Sequence, residues 1–393
     1  MRESKKVVVG GGIGGLTAAL SLRRGGHEVV VLERRETSAE AGAGISLWPN
    51  AMRILRDLGL GPALEASAIS DGRVTIRTRR GRQLSVSDMA GIERRFEAPL
   101  CVVHRCHLFD VLRAAVGEDA LRLGSTCIGA IQDDRAASAV LADGGQLEAD
   151  VVIAADGVGS RLREALLGPA APRATGLVAW RAVVPTNGFD VEAVTGEAWG
   201  RGELFGAARL TQDRLYWFAS ARGPEASDRS GQAEREMLLE RFADWHAPIP
   251  AIIDSTAPEA IIRTPLREIR PLETWVNGRV ALLGDAAHAM LPNLGQGGCQ
   301  AIEDAAGLAA SLTAGVEVPE ALGAYEKSRR PRAEKVARQS RRMSRLAHQR
   351  NPVAVALRNI VMRVAPAGAT LRQLDDFVGR PPQAAATNFR ETA

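Results

Sequence analysis

Gly10, Gly12 and Gly15 form a Gly-x-Gly-x-x-Gly turn (Gly10-Gly11-Gly12-Ile13-Gly14-Gly15) directly after the apolar run Val7-Val8-Val9, and Glu33 follows about 20 residues on. Each position has a physical task. Gly10 permits the tight turn, Gly12 removes a Cβ so that a pyrophosphate can approach the backbone, and Gly15 lets helix and strand pack closely. The helix N-terminus that opens at Ile13 and Gly14 offers free N–H groups and about half a positive charge to an anion. Glu33, with Arg34 beside it, can accept hydrogen bonds from both hydroxyls of an adenosine ribose, and its charge would repel a 2′-phosphate. The chemistry expected of this constellation is dinucleotide binding.

A second constellation lies late in the chain. Val280-Ala281-Leu282-Leu283 runs into Gly284-Asp285, and Pro292-Asn293-Leu294-Gly295-Gln296-Gly297-Gly298 leads into a helix from Cys299 to Leu308. This is another glycine-rich helix N-terminus, without a second strand turn of the first type. Its N–H groups suit an anionic or electron-accepting ring edge, such as the N1–C2=O of a reduced flavin. Asp285 can accept a hydrogen bond from a ribityl hydroxyl; a capping Asp in a plain loop is the structural alternative.

The elements that must position these groups follow from periodicity. Residues 7–33 read as strand, turn, helix (Leu16–Arg24) and strand, the opening of a doubly wound parallel sheet. A helix over Trp48–Leu58 follows, with Pro49 near its start. Residues 71–100 change character: Val74–Thr78 and Arg82–Val86 flank Arg79-Arg80-Gly81 as a hairpin. His104–Val116 returns to helix, 149–154 is a buried strand, 173–263 reads as strands plus one helix (Gln232–Trp245), and the chain after 283 is mainly helical. The expectation is an α/β protein in which a Rossmann-like domain (1–70, 101–172 and 264–345) is interleaved with an antiparallel-sheet substrate domain (71–100 and 173–263). A helical C-terminal segment, 346–393, completes it.

The glycine turn, the middle Ala155-Asp156-Gly157-Val158-Gly159-Ser160-Arg161 and the late Gly284-Asp285 with its Pro292–Gly298 loop together resemble the flavin-dependent aromatic hydroxylases of the para-hydroxybenzoate hydroxylase fold. The resemblance runs from about Val7 to about Arg345. Gly42-Ala43-Gly44-Ile45 with Pro49-Asn50-Ala51 is most similar to the branch of salicylate-type, 3-hydroxybenzoate-type and urate hydroxylases and zeaxanthin epoxidase. It implies bound FAD, with NADH or NADPH docking transiently as electron donor, and a C4a-hydroperoxide that hydroxylates an aromatic or heteroaromatic small molecule with O2. Carried over, Glu33 holds the ribose, Asp285 the ribityl chain, Arg105 contacts FAD, Asp156 and Gly157 serve FAD and nicotinamide, and Gly295 and Gly297 present N–H groups to the isoalloxazine. Gly44, Pro292, Gln296 and Gly298 complete the expected cofactor contacts.

Candidates on the substrate side are fewer, because the chain has two tyrosines and six histidines. Tyr216 and Phe218 alternate with Trp217 on one strand. Tyr216 is a candidate substrate-contacting catalytic residue, against ordinary sheet packing. Arg181 can bind a carboxylate or phenolate, with a salt bridge as its alternative. Trp180, Leu47, Trp48 and Pro292 are expected to wall the pocket. His288 and Tyr325 read as structural, and no metal set is completed around His104 and His107.

With 46% apolar and 24% charged residues the chain is ordinary folded protein, and its 393 residues exceed one typical domain. Four cysteines without CxxC spacing read as reduced thiols, and no leader or membrane span is expected, which points to a cytoplasmic protein; a monomer or homodimer is expected. The arginine-rich stretch 327–350 reads as a solvated helix face rather than a nucleic-acid site. Pro352–Val364 places Val353, Leu357, Ile360, Val361 and Val364 at helical spacing, an amphipathic helix expected to dock on the body; a membrane surface or a partner is the alternative. Competing functions are an epoxidase of a lipophilic polyene or quinone-like substrate and an FAD-dependent reductase on the same fold. A halogenase is disfavoured because its GWxWxIP segment is absent.

Overall fold

A computed structural model describes residues 5–36, 43–66, 73–168, 171–186, 188–365 and 374–379. Gly42, and residues 366–373 and 380–393 of the C-terminal segment, lie outside them.

The apolar runs at the start and in the middle of the chain pair into one sheet. Its order is Val276–Asn277, Val280–Leu282, Val151–Ala154, Lys5–Val9, Glu28–Leu32 and Leu121–Arg122, all parallel but for the first. Val7 sits between Val30 and Val152 in register. Val7, Val8, Val31, Val152, Ile153 and Val280 are fully buried, as strands covered on both faces must be. Helices Ile13–Arg24 and Gly297–Thr313 pack against each other, so both glycine-rich helix N-termini belong to one layer. A three-stranded sheet, Cys127–Gln132, Ala137–Leu141 and Gln146–Ala149, joins this unit.

The second unit is a seven-stranded sheet, ordered Ile262–Glu268, Arg173–Pro185, Arg214–Arg222, Glu203–Arg209, Gly196–Trp199, Arg73–Thr78 and Gln83–Asp88. The early hairpin enters through its one parallel pairing, Arg73–Thr78 with Gly196–Trp199. Trp180, Trp217 and Phe205 on the back face pack with Leu238, Phe242 and Ile252 of helices Gly231–Phe242 and Ile249–Asp254. Burying each such side chain contributes ~1.5–3 kcal/mol. The expected boundary between 263 and 264 falls inside the strand Ile262–Glu268, which pairs with Arg173–Arg181, so the antiparallel sheet runs on to Glu268.

Helix Val318–Ala347, about 45 Å long, spans both units. Tyr325 is buried in the first core and donates to the Leu282 carbonyl at 2.9 Å. Arg341 pairs with Glu268 at 2.8 Å, and His348 Nε2 meets Ser220 Oγ at 3.1 Å on the second sheet. Helix Pro352–Val364 docks on the body as expected, but not by its apolar face. It is amphipathic, but it lies on the body through Arg358 and Met362, and its apolar stripe faces outward.

Candidate active site

The first glycine turn borders a cavity of about 370 Å³, lined by Gly10, Gly12, Glu33, Arg34, Asp156, Gly157 and Arg161 among others. Gly10 has φ +108°, and a Cβ there would lie 2.4 Å from the Ala155 carbonyl oxygen. A Cβ on Gly15 would lie 1.9 Å from the Gly10 carbonyl oxygen, so helix and strand touch backbone to backbone. At Gly12 a Cβ would meet nothing within 4 Å: the space beside it belongs to the cavity. Helix Ile13–Arg24 starts there with no side-chain cap and no acidic residue in its first turn, leaving N–H donors for an anion. Glu33 braces the turn by accepting from Gly11 N at 2.8 Å and Arg35 N at 3.0 Å.

Across the cavity, Asp156 Oδ2 accepts from the amides of Arg161 (2.9 Å) and Leu162 (3.3 Å). Asp156 Oδ1 is buried and has no hydrogen-bond partner among the described residues. A buried acceptor left without a donor costs about 1–3 kcal/mol, which a ligand hydroxyl or amide would recover. An open glycine edge, an uncapped helix and an orphaned carboxylate oxygen around one cavity fit a dinucleotide. Sequence reasoning overlooked Arg163, which is buried and ties this loop to the next by donating to the carbonyls of Val158 (2.8 Å) and Ala286 (3.1 Å).

The second constellation rests on a buried polar network. Asp304 accepts from Gly284 N (3.2 Å) and Arg329 Nε (2.9 Å) and bonds His288 Nε2 at 2.5 Å. Glu303 is held by Arg329 (2.5 Å), Arg332 (2.7 Å) and Asn50 Nδ2 (2.6 Å). Burial alone would push both carboxyls up, but His288 and Arg329 hold Asp304, and Arg329 and Arg332 hold Glu303, below the usual carboxylate range. The network fixes the Gly284 turn and helix Gly297–Thr313. That helix again lacks a side-chain cap, and nothing lies within 4 Å of a Cβ placed on Gly297. Asp285 is exposed at the start of its short helix, and Pro292 is exposed. Gln296 points its side chain inward to Asn50 and Gln300, which leaves only its backbone for a ligand. His288 is structural in this arrangement. The acidic pair on helix Gly297–Thr313 and Arg329 carry no sequence motif; their only signal is charge on otherwise apolar helix faces.

Strand Gly44–Leu47, paired with Cys101–His104, joins these loops to the second sheet. On one side a Gly298 Cβ would stand 3.0 Å from Ile45 Cδ1, and a Gly295 Cβ 3.0 Å from Trp48 Nε1. That indole nitrogen is buried without a hydrogen-bond partner among the described residues. On the other side the Tyr216 ring lies on Gly44, 2.4 Å from where a Cβ would be, so glycine alone admits it. Tyr216 and Phe218 are neighbours (5.7 Å between centroids) on the sheet's front face, with Arg181 directly opposite Phe218 in register. Arg181 is close enough to the Tyr216 hydroxyl for its charge to act on it. Burial pushes the phenol up, and Arg181 and Arg105 oppose it. Arg105 opens its helix beside Gly44, where its amide donates to the Ala43 carbonyl at 2.8 Å.

Two expected wall residues lie elsewhere. Trp180 pairs with Ala219 in register, which turns its indole to the back face, where it donates to Glu234 Oε2 at 2.9 Å. Leu47 is fully buried in the first core.

The FAD binding domain family matches residues 3–340 of the chain. An aurachin C monooxygenase/isomerase of Stigmatella aurantiaca is 39% identical, with 91% of this chain and 93% of that protein aligned. An FAD-dependent urate hydroxylase of Mycolicibacterium vanbaalenii is 34% identical over 88% and 90%. Klebsiella pneumoniae HpxO, complexed with FAD and uric acid, superposes with a TM-score of 0.89 at 28% identity, over 96% of this chain and 97% of that one. The open glycine edge, the orphaned Asp156 oxygen and these likenesses agree: the chain belongs to the FAD binding domain family and is a flavoprotein monooxygenase of the aromatic hydroxylase fold.

Proposed function

We propose that the chain hydroxylates a hydroxyl- or amino-substituted aromatic or heteroaromatic ring, held between the front face of the second sheet and the Gly44–Trp48 edge. The carrying observation is the Tyr216–Arg181 pair. The Tyr216 ring lies on Gly44 beside Phe218, with Arg181 on the same face opposite Phe218, so a phenol donor and a guanidinium donor stand together where a ring substituent can meet them. Because burial raises the phenol, its proton is present at neutral pH. Phe218 flanks the ring, and the Trp48 indole N–H is available to a polar edge.

FAD, when bound, would supply the redox chemistry that couples oxidation of NADH or NADPH to insertion of one atom of O2 into the ring, the other becoming water. The chain's residues hold and orient. The Gly12 edge and the first turn of Ile13–Arg24 take the diphosphate, Glu33 the ribose, Asp156 a donor at the same cavity, Asp285 the ribityl chain, and the Gly295–Gly298 amides the pyrimidine edge. The uric acid in the HpxO complex and the urate hydroxylase name of the Mycolicibacterium relative support a heteroaromatic ring.

Phenols, hydroxypyridines, quinolones and urate are to be screened for ring hydroxylation coupled to NAD(P)H and O2 consumption. With a coupled substrate, Tyr216→Phe lowers product formation about tenfold or more, the worth of one hydrogen bond to a charged or reacting group. It leaves flavin reduction without substrate unchanged. Unaltered turnover and coupling would reduce Tyr216 to sheet packing.

A further inference from the structure

The outward face of helix Pro352–Val364 has no partner among the described residues. Val353, Leu357, Ile360, Val361 and Val364 fall at i, i+4, i+7, i+8 and i+11, one stripe, and are 54–75% exposed. The helix is built to hold that stripe outward. Its one buried residue is Arg358, an inversion of the usual pattern. The Arg358 guanidinium donates to the carbonyls of Leu346, Ala347 and Gly200 at 3.1, 3.2 and 3.3 Å and lies 5.3 Å over the Trp199 ring. Asn351 caps the first turn through the amides of Val353 and Ala354. A helix pinned by a buried arginine cannot roll its apolar face inward without stranding that charge.

The charge around the stripe names the occupant. Residues 335–374 contain nine lysines and arginines and no aspartate or glutamate; Lys335, Arg338 and Arg341 pair with acids outside that stretch and Arg358 is buried. Arg342, Arg345, Arg350 and Arg363 are exposed on the helix or on the segment leading into it, as is Leu346, whose carbonyl accepts from Arg358. A second copy of this face would bring like charges together. An anionic bilayer meets both features, taking the apolar stripe below its headgroups and the arginines among them. No helix among the described residues is long and apolar enough to cross a membrane, so the mode is interfacial.

We propose that helix Pro352–Val364 docks this enzyme on the surface of an anionic lipid bilayer. Met362, on the inner side of the helix, packs against the cluster of Trp199, Leu204 and Ala347, which Phe218 also joins, so the docked bilayer lies about one helix diameter, ~10 Å, from that side of the second sheet. Docking rests on this helix and the arginines leading into it, and stands or falls separately from the identity of the substrate.

The test is flotation of the FAD-loaded enzyme with vesicles of phosphatidylcholine alone or mixed with phosphatidylglycerol. The expected result is binding to the mixed vesicles that weakens as salt rises. The double change Leu357→Glu, Ile360→Glu, at exposed positions, should lower binding at least about tenfold with unchanged FAD content and melting temperature. No binding to mixed vesicles, or equal binding by the double variant, would overturn the proposal. So would a wild-type dimer that this double change converts to monomer, since a second copy would then cover the stripe.

Discussion

Replacing Gly12 by Val separates the cofactor site from the fold. Gly12 has φ −77° and ψ −178° at the helix N-cap, a conformation open to valine, and its Cβ position is clear of protein to 4 Å. The apoprotein therefore loses no packing, and its stability in urea should change by less than about 1 kcal/mol, the N-cap preference of Gly over Val. The isopropyl group instead fills the space through which a diphosphate reaches the helix amides. Loss of two charge-assisted hydrogen bonds at about 1.5–3 kcal/mol each raises the Kd for FAD by roughly 10²–10⁴. Gly15→Ala is the contrast. Its Cβ would sit 1.9 Å from the Gly10 carbonyl oxygen, so helix and strand must part, at about 1–3 kcal/mol in the apoprotein. The assays are flavin-to-protein ratio after denaturation, calorimetric titration of apoprotein with FAD, and urea unfolding of both apo variants. A yellow Gly12→Val protein with full flavin content and a wild-type Kd would refute the placement of the diphosphate.

Arg329→Met should cost about 3 kcal/mol in chemical unfolding, the low end for breaking a buried ion pair, because Arg332 still holds Glu303 and His288 still holds Asp304; a loss below 1 kcal/mol would show that the network carries little. Folded-state pKa values of Glu303 and Asp304 lie below their ordinary 4.5 and 3.8, so their stabilisation is complete above about pH 5 and is lost as pH falls through the lowered values; Asp304→Asn should flatten part of that acid slope in urea midpoints measured from pH 3 to 6. Burial pushes the thiols of Cys101 and Cys299 up to about 12, so at pH 8 iodoacetamide should leave both unmodified in the native protein by peptide mass mapping, and rapid labelling of either would contradict their burial.

What the sequence disclosed was governed by range. The backbone demands at Gly10, Gly12 and Gly15 are met within six residues, so composition records them, and the parallel strands around them are apolar on both faces and easily seen. Alternation separated Tyr216 and Phe218 from Trp217, because a strand has only two faces. It was silent on Trp180, since strand Arg173–Pro185 is buried on both sides between residues 177 and 180 and only register with Ala219 decides. The boundary at Glu268 was hidden for a related reason: Ile262–Glu268 pairs with a strand some ninety residues earlier. Helices Gly61–Ala66, Met89–Phe96 and Ile249–Asp254 are too short for a 3.6-residue period to show. Amphipathicity located helix Pro352–Val364 but could not say which side faces the protein; that was decided by Arg358 reaching carbonyls of the preceding turn and Gly200.

The buried ions behind the Gly284 turn bear on how the two units cooperate. An apolar cluster of equal volume would stabilise helix Gly297–Thr313 as well or better, since desolvation offsets much of the Coulomb gain. What an apolar cluster lacks is direction. Asp304 holds the Gly284 amide and Arg329 with its two oxygens, and Glu303 reaches Asn50 behind strand Gly44–Leu47. Arg329 and Tyr325 lie on the same long helix whose Arg341 holds Glu268, itself paired with Arg173, and whose Ser340 hydroxyl donates to the Leu291 carbonyl at 2.5 Å. One rigid helix thus fixes both the glycine loop proposed to meet the cofactor and the edge of the sheet that carries Tyr216. A site split between two sheets needs its separation set to within a fraction of an ångström for oxygen transfer, and hydrogen-bonded ions on a common strut impose such a distance where close-packed methyl groups would permit several.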